Sequence, residues 1–289
     1  MDKFYGFGPV VIGFQDFPVC PDWPFRDWKL DPYTTDCTQA DIWVVYAPTK
    51  IVPNGVLLQQ ERSALSLREV WRLPDDRILW QQTQNDEKLL QFVWKDNRIC
   101  LTCDTTDTWG MAALEALTFL VFPCMLLQNV LTFHSVLLEH KGKGILIAGA
   151  SGVGKSTHAR LWRTHKNALI LNGDRAACYR RSSGWTGFGT PWCGTSGEHI
   201  NRQAPIAALV LLQQAGEDKL TPLSPAQALS QVLSVAVCPG WLEQLPIQVL
   251  DLLDSFLQEI PVVKLECTPT ENAVKVLEEY LDTLPGGVV

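Results

Sequence analysis

The sequence has no excess of positive charge, no signal-like pattern at its start, no uninterrupted apolar span and no paired cysteine framework, and each absence bears on a class of function. Lys and Arg together number 24 against 31 Asp and Glu, a formal net charge of −7. Broad nucleic-acid binding needs a basic surface to displace counterions from phosphates, so a nucleic-acid partner is not expected. The start, Met1-Asp2-Lys3-Phe4-Tyr5-Gly6-Phe7, lacks the charged-then-apolar pattern of a secretory signal, which predicts cytoplasmic residence. The most apolar stretch, Met111 to Val130, is interrupted by Glu115, Pro123 and Gln128 and predicts a buried helix, not a membrane span. Nine cysteines, an odd number, read as reduced thiols. Cys100 and Cys103 form a CxxC with no second pair to complete a zinc site, and the extended-looking segment around them puts them on different faces, as core thiols. There is no internal repeat and no low-complexity tract. With 46% hydrophobic and 19% charged residues, what remains is an ordinary folded chain.

Its organisation changes along its length. Over residues 1–108, short runs such as Ile42-Trp43-Val44-Val45-Tyr46, Ser66 to Leu73 and Leu89 to Trp94 alternate or are β-branched and aromatic. Pro53-Asn54-Gly55, Pro74-Asp75-Asp76 and Asp96-Asn97 separate them, which predicts a small, mostly antiparallel β domain. Residues 109–130 read as a helical connector. Over 131–289 the pattern becomes strand, glycine turn and helix: Val136 to Glu139 and Gly144 to Ala148 as strands, Lys155 to about Thr164 as a helix, and Ala168 to Leu171 as a buried strand. Ala207 to Leu212 is apolar throughout, the mark of a strand buried on both faces. The tail from Pro225 to Leu284 is mainly helical, with a short strand at Ile260 to Leu265. The class is α/β, with helices on a core sheet preceded by the β domain.

The chemistry is concentrated in Gly149-Ala150-Ser151-Gly152-Val153-Gly154-Lys155-Ser156, a complete GxxxxGK[ST] phosphate loop between an expected strand and an expected helix. The glycines let successive N–H groups curl toward a phosphate, Lys155 supplies a mobile positive charge, and the Ser156 hydroxyl can ligand magnesium. The helix opening at Lys155 and continuing through Thr157 aims its positive end at the same phosphates. The ligand this implies is ATP with Mg2+. Asp174, nineteen residues after Lys155, follows the next buried strand, where an acid would point toward the phosphates and orient the metal or take a proton.

His134 to Glu139, a turn, Gly144 to Gly149, the phosphate loop and then Leu171-Asn172-Gly173-Asp174 resemble the catalytic domain of HPr kinase/phosphorylase, in the phosphoenolpyruvate carboxykinase-like group. The resemblance covers roughly residues 130–212. The stretches Gly189 to Gly194 and Asn201 to Pro205 are similar to a branch of peptide-modifying, serine-kinase-like proteins. The resemblance implies an ATP- and Mg2+-dependent phosphotransferase with Lys155, Asp174 and His134 as catalytic residues, and Ser156 and Asp174 as metal ligands. It implies a peptide, small-protein or small-molecule hydroxyl acceptor, serine first, and homo-oligomers, since bacterial members of that family form hexamers. Two features depart from it. Gly173 stands where the first of two acids is expected, and the N-terminal region does not look like the regulatory domain of the bacterial kinase.

The glycine-rich stretch from Gly187 to Arg202 reads as a loop long enough to be functional. Trp192, Glu198 and Arg202 are its candidate substrate or lid residues, with Arg202 set to neutralise phosphoryl charge and Glu198 to replace the missing acid. His158, in the first turns of the loop helix, reads as solvated. Two other classes stay open: an ATPase or GTPase switch, although no guanine-reading Asn-Lys-x-Asp is present, and a nucleotide binder without transfer activity.

Overall fold

Alternating and β-branched segments in the first hundred residues pair into one eight-stranded sheet. Its strands are β1 (Lys3–Phe7), β2 (Val10–Gln15), β3 (Ile42–Tyr46), β4 (Val56–Arg62), β5 (Ser66–Arg72), β6 (Ile78–Gln84), β7 (Lys88–Lys95) and β8 (Arg98–Cys103). Their order is β1-β2-β3-β8-β7-β6-β5-β4. The sheet is mixed: β2–β3 and β3–β8 are parallel, because the chain crosses over between them, and the other pairs are antiparallel. The computed structural model describes residues 2–15, 30–84, 88–103 and 111–284. The expected boundary at 108/109 and the side chain of Cys103 lie outside the described residues. Cys100 packs at the edge of a small cluster with Leu73, Leu79 and Val93.

The chain divides into two units, Met1–Met125 with Pro239–Leu245, and Leu126–Cys238 with Pro246–Val289. A single helix, α1 (Met111–Leu127), carries Pro123 inside it and ends at the point where the second unit begins. Among the described residues no helix is long and apolar enough to cross a membrane.

The second unit is mixed α/β. Its elements are β9 (Val130–His140), β10 (Lys143–Ala148), α2 (Lys155–Lys166), β11 (Leu169–Asn172), β12 (Arg175–Arg181), β13 (Gly184–Phe188), β14 (Gln203–Gln214), β15 (Lys219–Leu223), α3 (Pro225–Val235), α4 (Gln244–Glu259), β16 (Val262–Cys267) and α5 (Glu271–Thr283). The second sheet runs β10-β9-β12-β13-β14-β16-β15, with β11 on β9 and a further parallel pairing of β10 with β14. β10, β9, β12, β13 and β14 thus form a closed circuit of pairings. β9 is much longer than its apolar core suggested, and it holds His134 within the strand instead of ahead of it. β12, β13 and β15 carry too many polar and glycine residues to announce themselves by pattern.

Strand alternation assigns the faces. Val136 and Leu138, Ile145 and Ile147, Ala208, Val210 and Leu212 meet Ala159 and Trp162 of α2 and Ala273, Val274, Leu277 and Leu281 of α5. On the opposite face Phe133 and Trp185 pack their rings against Phe256 of α4 at 5.4 and 5.2 Å. The β9–β10 turn is tied to α5 through Glu278, which pairs with His140, Lys141 and Lys166 and is held at about pKa 2, chiefly by the Lys166 hydrogen bond. The apolar sandwich fixes β10 and α2 end to end, and with them the loop between.

Leu146 is fully buried in β10, between β9 and β14. Leu146→Ala is expected to destabilise this unit by about 2–5 kcal/mol, since it removes a buried side chain and leaves a cavity. Chemical denaturation followed by circular dichroism measures it, and a change under ~1 kcal/mol would contradict the packing described.

Candidate functional site

The phosphate loop joins β10 to α2 with Gly149, Gly152 and Gly154 at φ of 145°, 76° and 105°, conformations that favour glycine. At Gly149 a Cβ would also come within 2.8 Å of the Leu212 carbonyl of β14. Gly154 precedes α2 with no side-chain cap, so the helix presents its first N–H groups to whatever occupies the loop. Val153 N–H donates to the Ala150 carbonyl at 3.2 Å, and Gln214 Nε2 donates to the Gly152 and Val153 carbonyls at 3.4 and 3.3 Å. Lys155 Nζ donates to the carbonyls of Gly149 at 2.9 Å and Ala150 at 3.1 Å, curled over the cradle it would serve. Burial lowers its pKa, and the Asp174 carboxylate acts in the opposite direction.

β11 and β12 run one after the other along the same edge of β9, broken at Gly173-Asp174. At the break Arg175 faces both His134 and Ser135 in a bulge, so Asp174 projects beside His134. His134 is the exposed position in an otherwise buried run from Val130 to Leu138. Burial of its ring lowers its pKa, Asp174 raises it, and Arg175 and Lys155 lower it further, so the imidazole is neutral at pH 7. His134, Asp174, Lys155, Gly149, Ala150 and Ser151 line one cavity of about 650 Å³. Its far wall comes from α3 through Gln231, Ser234 and Val235. Helical spacing alone did not mark α3 as part of a site.

Asn172, also missed, is fully buried and organises the break. Its Oδ1 accepts from the N–H groups of Asp174 at 2.9 Å and Arg175 at 2.7 Å. Its Nδ2 donates to the carbonyls of Thr190 at 3.0 Å and Trp192 at 3.2 Å. The segment 189–202 is thereby stapled to the site, with Ile200 N–H on the Leu171 carbonyl and Gly173 N–H on the Glu198 carbonyl, both 2.9 Å.

That anchoring corrects the lid expectation. Trp192 is 1% exposed, a core anchor instead of a mobile substrate contact. Arg202 is not brought to the phosphate loop. It forms a two-pronged ion pair with Glu139, whose β10 partner is Gly144, at the end of the strand away from the loop. Glu198 reaches the neighbourhood, lining a small crevice with Ser156 and Gly173, but its carboxylate is paired with Arg163 of α2. Gly173 has a physical reason to be glycine: a Cβ there would fall 1.9 Å from Ser196 Oγ and 2.8 Å from Ser196 Cβ. A first acid cannot stand at this position while the loop lies where it does. Among the described residues no cluster of three or more His, Cys, Asp or Glu is assembled, so a metal here would depend on Ser156, Asp174 and ligand oxygens.

His158 is not solvated but 2% exposed, and burial pushes its pKa down to about 4, against a smaller opposing pull from Asp218.

Residues 99–270 match the family model described as SynChlorMet cassette protein ScmC, a span that includes the loop, His134, Asp174 and the anchored segment. No curated protein matches the chain. Among solved structures, the HPr(Ser) kinase/phosphatase from Coxiella burnetii is similar at 11% identity and a TM-score of 0.30, over 52% of this chain and 98% of that one.

Gly173→Asp is expected to lower stability by about 1–3 kcal/mol through overpacking, and adding Ser196→Gly should recover part of it. Equal losses in the single and double variants, by thermal or urea unfolding, would refute the clash. His158 gives a second outcome. Its folded pKa of about 4 lies below the ordinary 6.5, so its contribution is complete above pH 6.5 and is lost as pH falls toward 4, by about 3 kcal/mol. The lowered pKa of Asp218 acts only below the ordinary carboxylate value, outside that window. The slope of unfolding free energy against pH between 6.5 and 4 should therefore flatten in His158→Leu.

Proposed function

The chain belongs to the family described as SynChlorMet cassette protein ScmC, and from that premise we propose that it is an ATP- and Mg2+-dependent phosphotransferase acting on a hydroxyl group. The observation that carries this reading is the single cavity where Lys155, Asp174 and His134 converge on a glycine-lined loop. A nucleotide switch needs a cradle for phosphates. A transferase also needs space for an acceptor and a group to take its proton, and the cavity walled by α3 offers both.

The fit to a metal–triphosphate is supported by residues already in place. Loop N–H groups and the uncapped start of α2 suit phosphate oxygens. The two carbonyls that hold Lys155 Nζ are neutral acceptors, which an anionic phosphate oxygen would outcompete for the ammonium. Ser156 and Asp174 would hold the metal, whose chemistry is neutralisation of charge on the β- and γ-oxygens. In the transfer step the acceptor oxygen bonds to the γ-phosphorus, the bond from that phosphorus to the β–γ bridging oxygen breaks, and ADP leaves. The acceptor proton passes to Asp174 or to neutral His134, both of which line the cavity. Positioning and charge neutralisation supply most of such catalysis. The acceptor we propose is a serine hydroxyl of a peptide or small protein, or a small-molecule alcohol, and the compartment is the cytoplasm.

Incubation with γ-labelled ATP, Mg2+ and candidate hydroxyl acceptors tests the reading. Label transferred to an acceptor supports it, whereas hydrolysis alone would favour a switch and binding without turnover a non-catalytic role. Lys155→Ala should reduce transfer roughly 100- to 1,000-fold with an unchanged circular dichroism spectrum. Transfer at the wild-type rate in that variant would sink the assignment.

A further inference from the structure

The phosphate loop has a second cavity on its other flank, of about 420 Å³, within the roughly 300–1,000 Å³ of small-molecule sites. It starts at Gly154 and Thr157, and reaches the ends of β14 and β16 at Ala215, Cys267 and Pro269. No charged side chain lines it, in contrast to the cleft holding Lys155 and Asp174. Thr268 in its wall is fixed by Asp218, which accepts from the Thr268 N–H at 2.8 Å and hydroxyl at 3.1 Å, and from Asn272 Nδ2 at 2.7 Å. His158 also lies in its wall, with Gln213 and Gln214 among the other polar residues. It is 2% exposed, and neither ring nitrogen has a hydrogen-bond partner among the described residues.

A buried imidazole left unpaired is unfavourable unless something supplies its partner. We infer that this cavity is the nucleoside pocket, taking the purine base and ribose of the triphosphate, with Thr157, Gln213, Gln214 and Thr268 as polar groups of its wall and His158 packed beside them. The inference rests on the nucleotide-binding reading of the loop. It divides the ligand by chemistry: phosphates and acceptor on the charged side, and the uncharged, flat, weakly polar nucleoside on the other. A triphosphate seated on the loop ends its α-phosphate near the start of α2, where Thr157 and this cavity meet.

Titration of the full-length protein with MgADP and with magnesium tripolyphosphate, which has no nucleoside, tests the division. Wild type should bind both. Ala215→Trp, which fills the cavity, should weaken MgADP at least tenfold and leave tripolyphosphate within twofold. In wild-type protein with isotope-labelled histidine, the His158 ring signal should move with MgADP and stay in place with tripolyphosphate. If wild type binds neither ligand, the phosphate-loop reading falls and takes this proposal with it. If tripolyphosphate binds but Ala215→Trp leaves MgADP unaffected, the loop reading stands and the nucleoside pocket is wrong. If the tryptophan abolishes both, the wild-type ring signal decides: a response to both ligands alike, or to neither, overturns the proposal.

Discussion

The hydrogen bonds of one buried amide, Asn172, hold the candidate site in its arrangement. Its oxygen accepts from the N–H groups of Asp174 and Arg175, and its nitrogen donates to the carbonyls of Thr190 and Trp192. A strand that ended without such a cap would leave two part-buried N–H groups without this partner, at a cost in stability. By closing that account in one residue, Asn172 allows β11 to stop, Asp174 to project beside His134, and β12 to resume along the same edge of β9. It also locks the 189–202 segment against the break, which turns a sequence that looks like a lid into a wall.

The single acid follows from the same constraint. With the wall held down, Ser196 occupies the space that a side chain at position 173 would need. Gly173 is therefore a consequence of the anchored segment, and an acid there would require that segment to move. Glu198, carried by the segment into the crevice beside Ser156, is tied to α2 by its ion pair with Arg163. Among the described residues lining the cleft Asp174 is the one carboxylate, and the imidazole of His134 lies in the same lining.

Periodicity and motif spacing made the phosphate loop, α2, α5 and the buried strand β14 legible, because glycine at positive φ, helical spacing and an unbroken apolar run are each local signals. Asp174 was legible by its distance from Lys155. What escaped was long-range. Nothing local marks Asn172, because the carbonyls it bonds lie eighteen and twenty residues away. Arg202 and Trp192 looked functional by composition, yet one is claimed by Glu139 and the other by the core. His158 looked exposed because helix position alone does not show which face α5 and β14 cover. The parallel pairings in the first sheet were hidden for a related reason, since alternation gives a strand its faces but not its neighbour's direction.

Corrected in this way, the geometry gives the loop two unlike sides. On one, Lys155 and Asp174 lower and raise the pKa of His134 in opposition, while desolvation keeps the ring neutral. On the other, desolvation of His158 is nearly complete and Asp218 offsets only part of it, leaving a neutral ring with unused hydrogen-bonding capacity. Both histidines are neutral at pH 7 for the same physical reason, but they face different chemistry. One shares a cavity with Lys155 and Asp174, and the other lines a cavity with no charged side chain. The turn from Gly149 to Thr157 and the end of β14 at Leu211 to Ala215 run between those two environments. A ligand spanning both cavities would meet charged groups on one side and none on the other, as the nucleoside triphosphate proposed above would require.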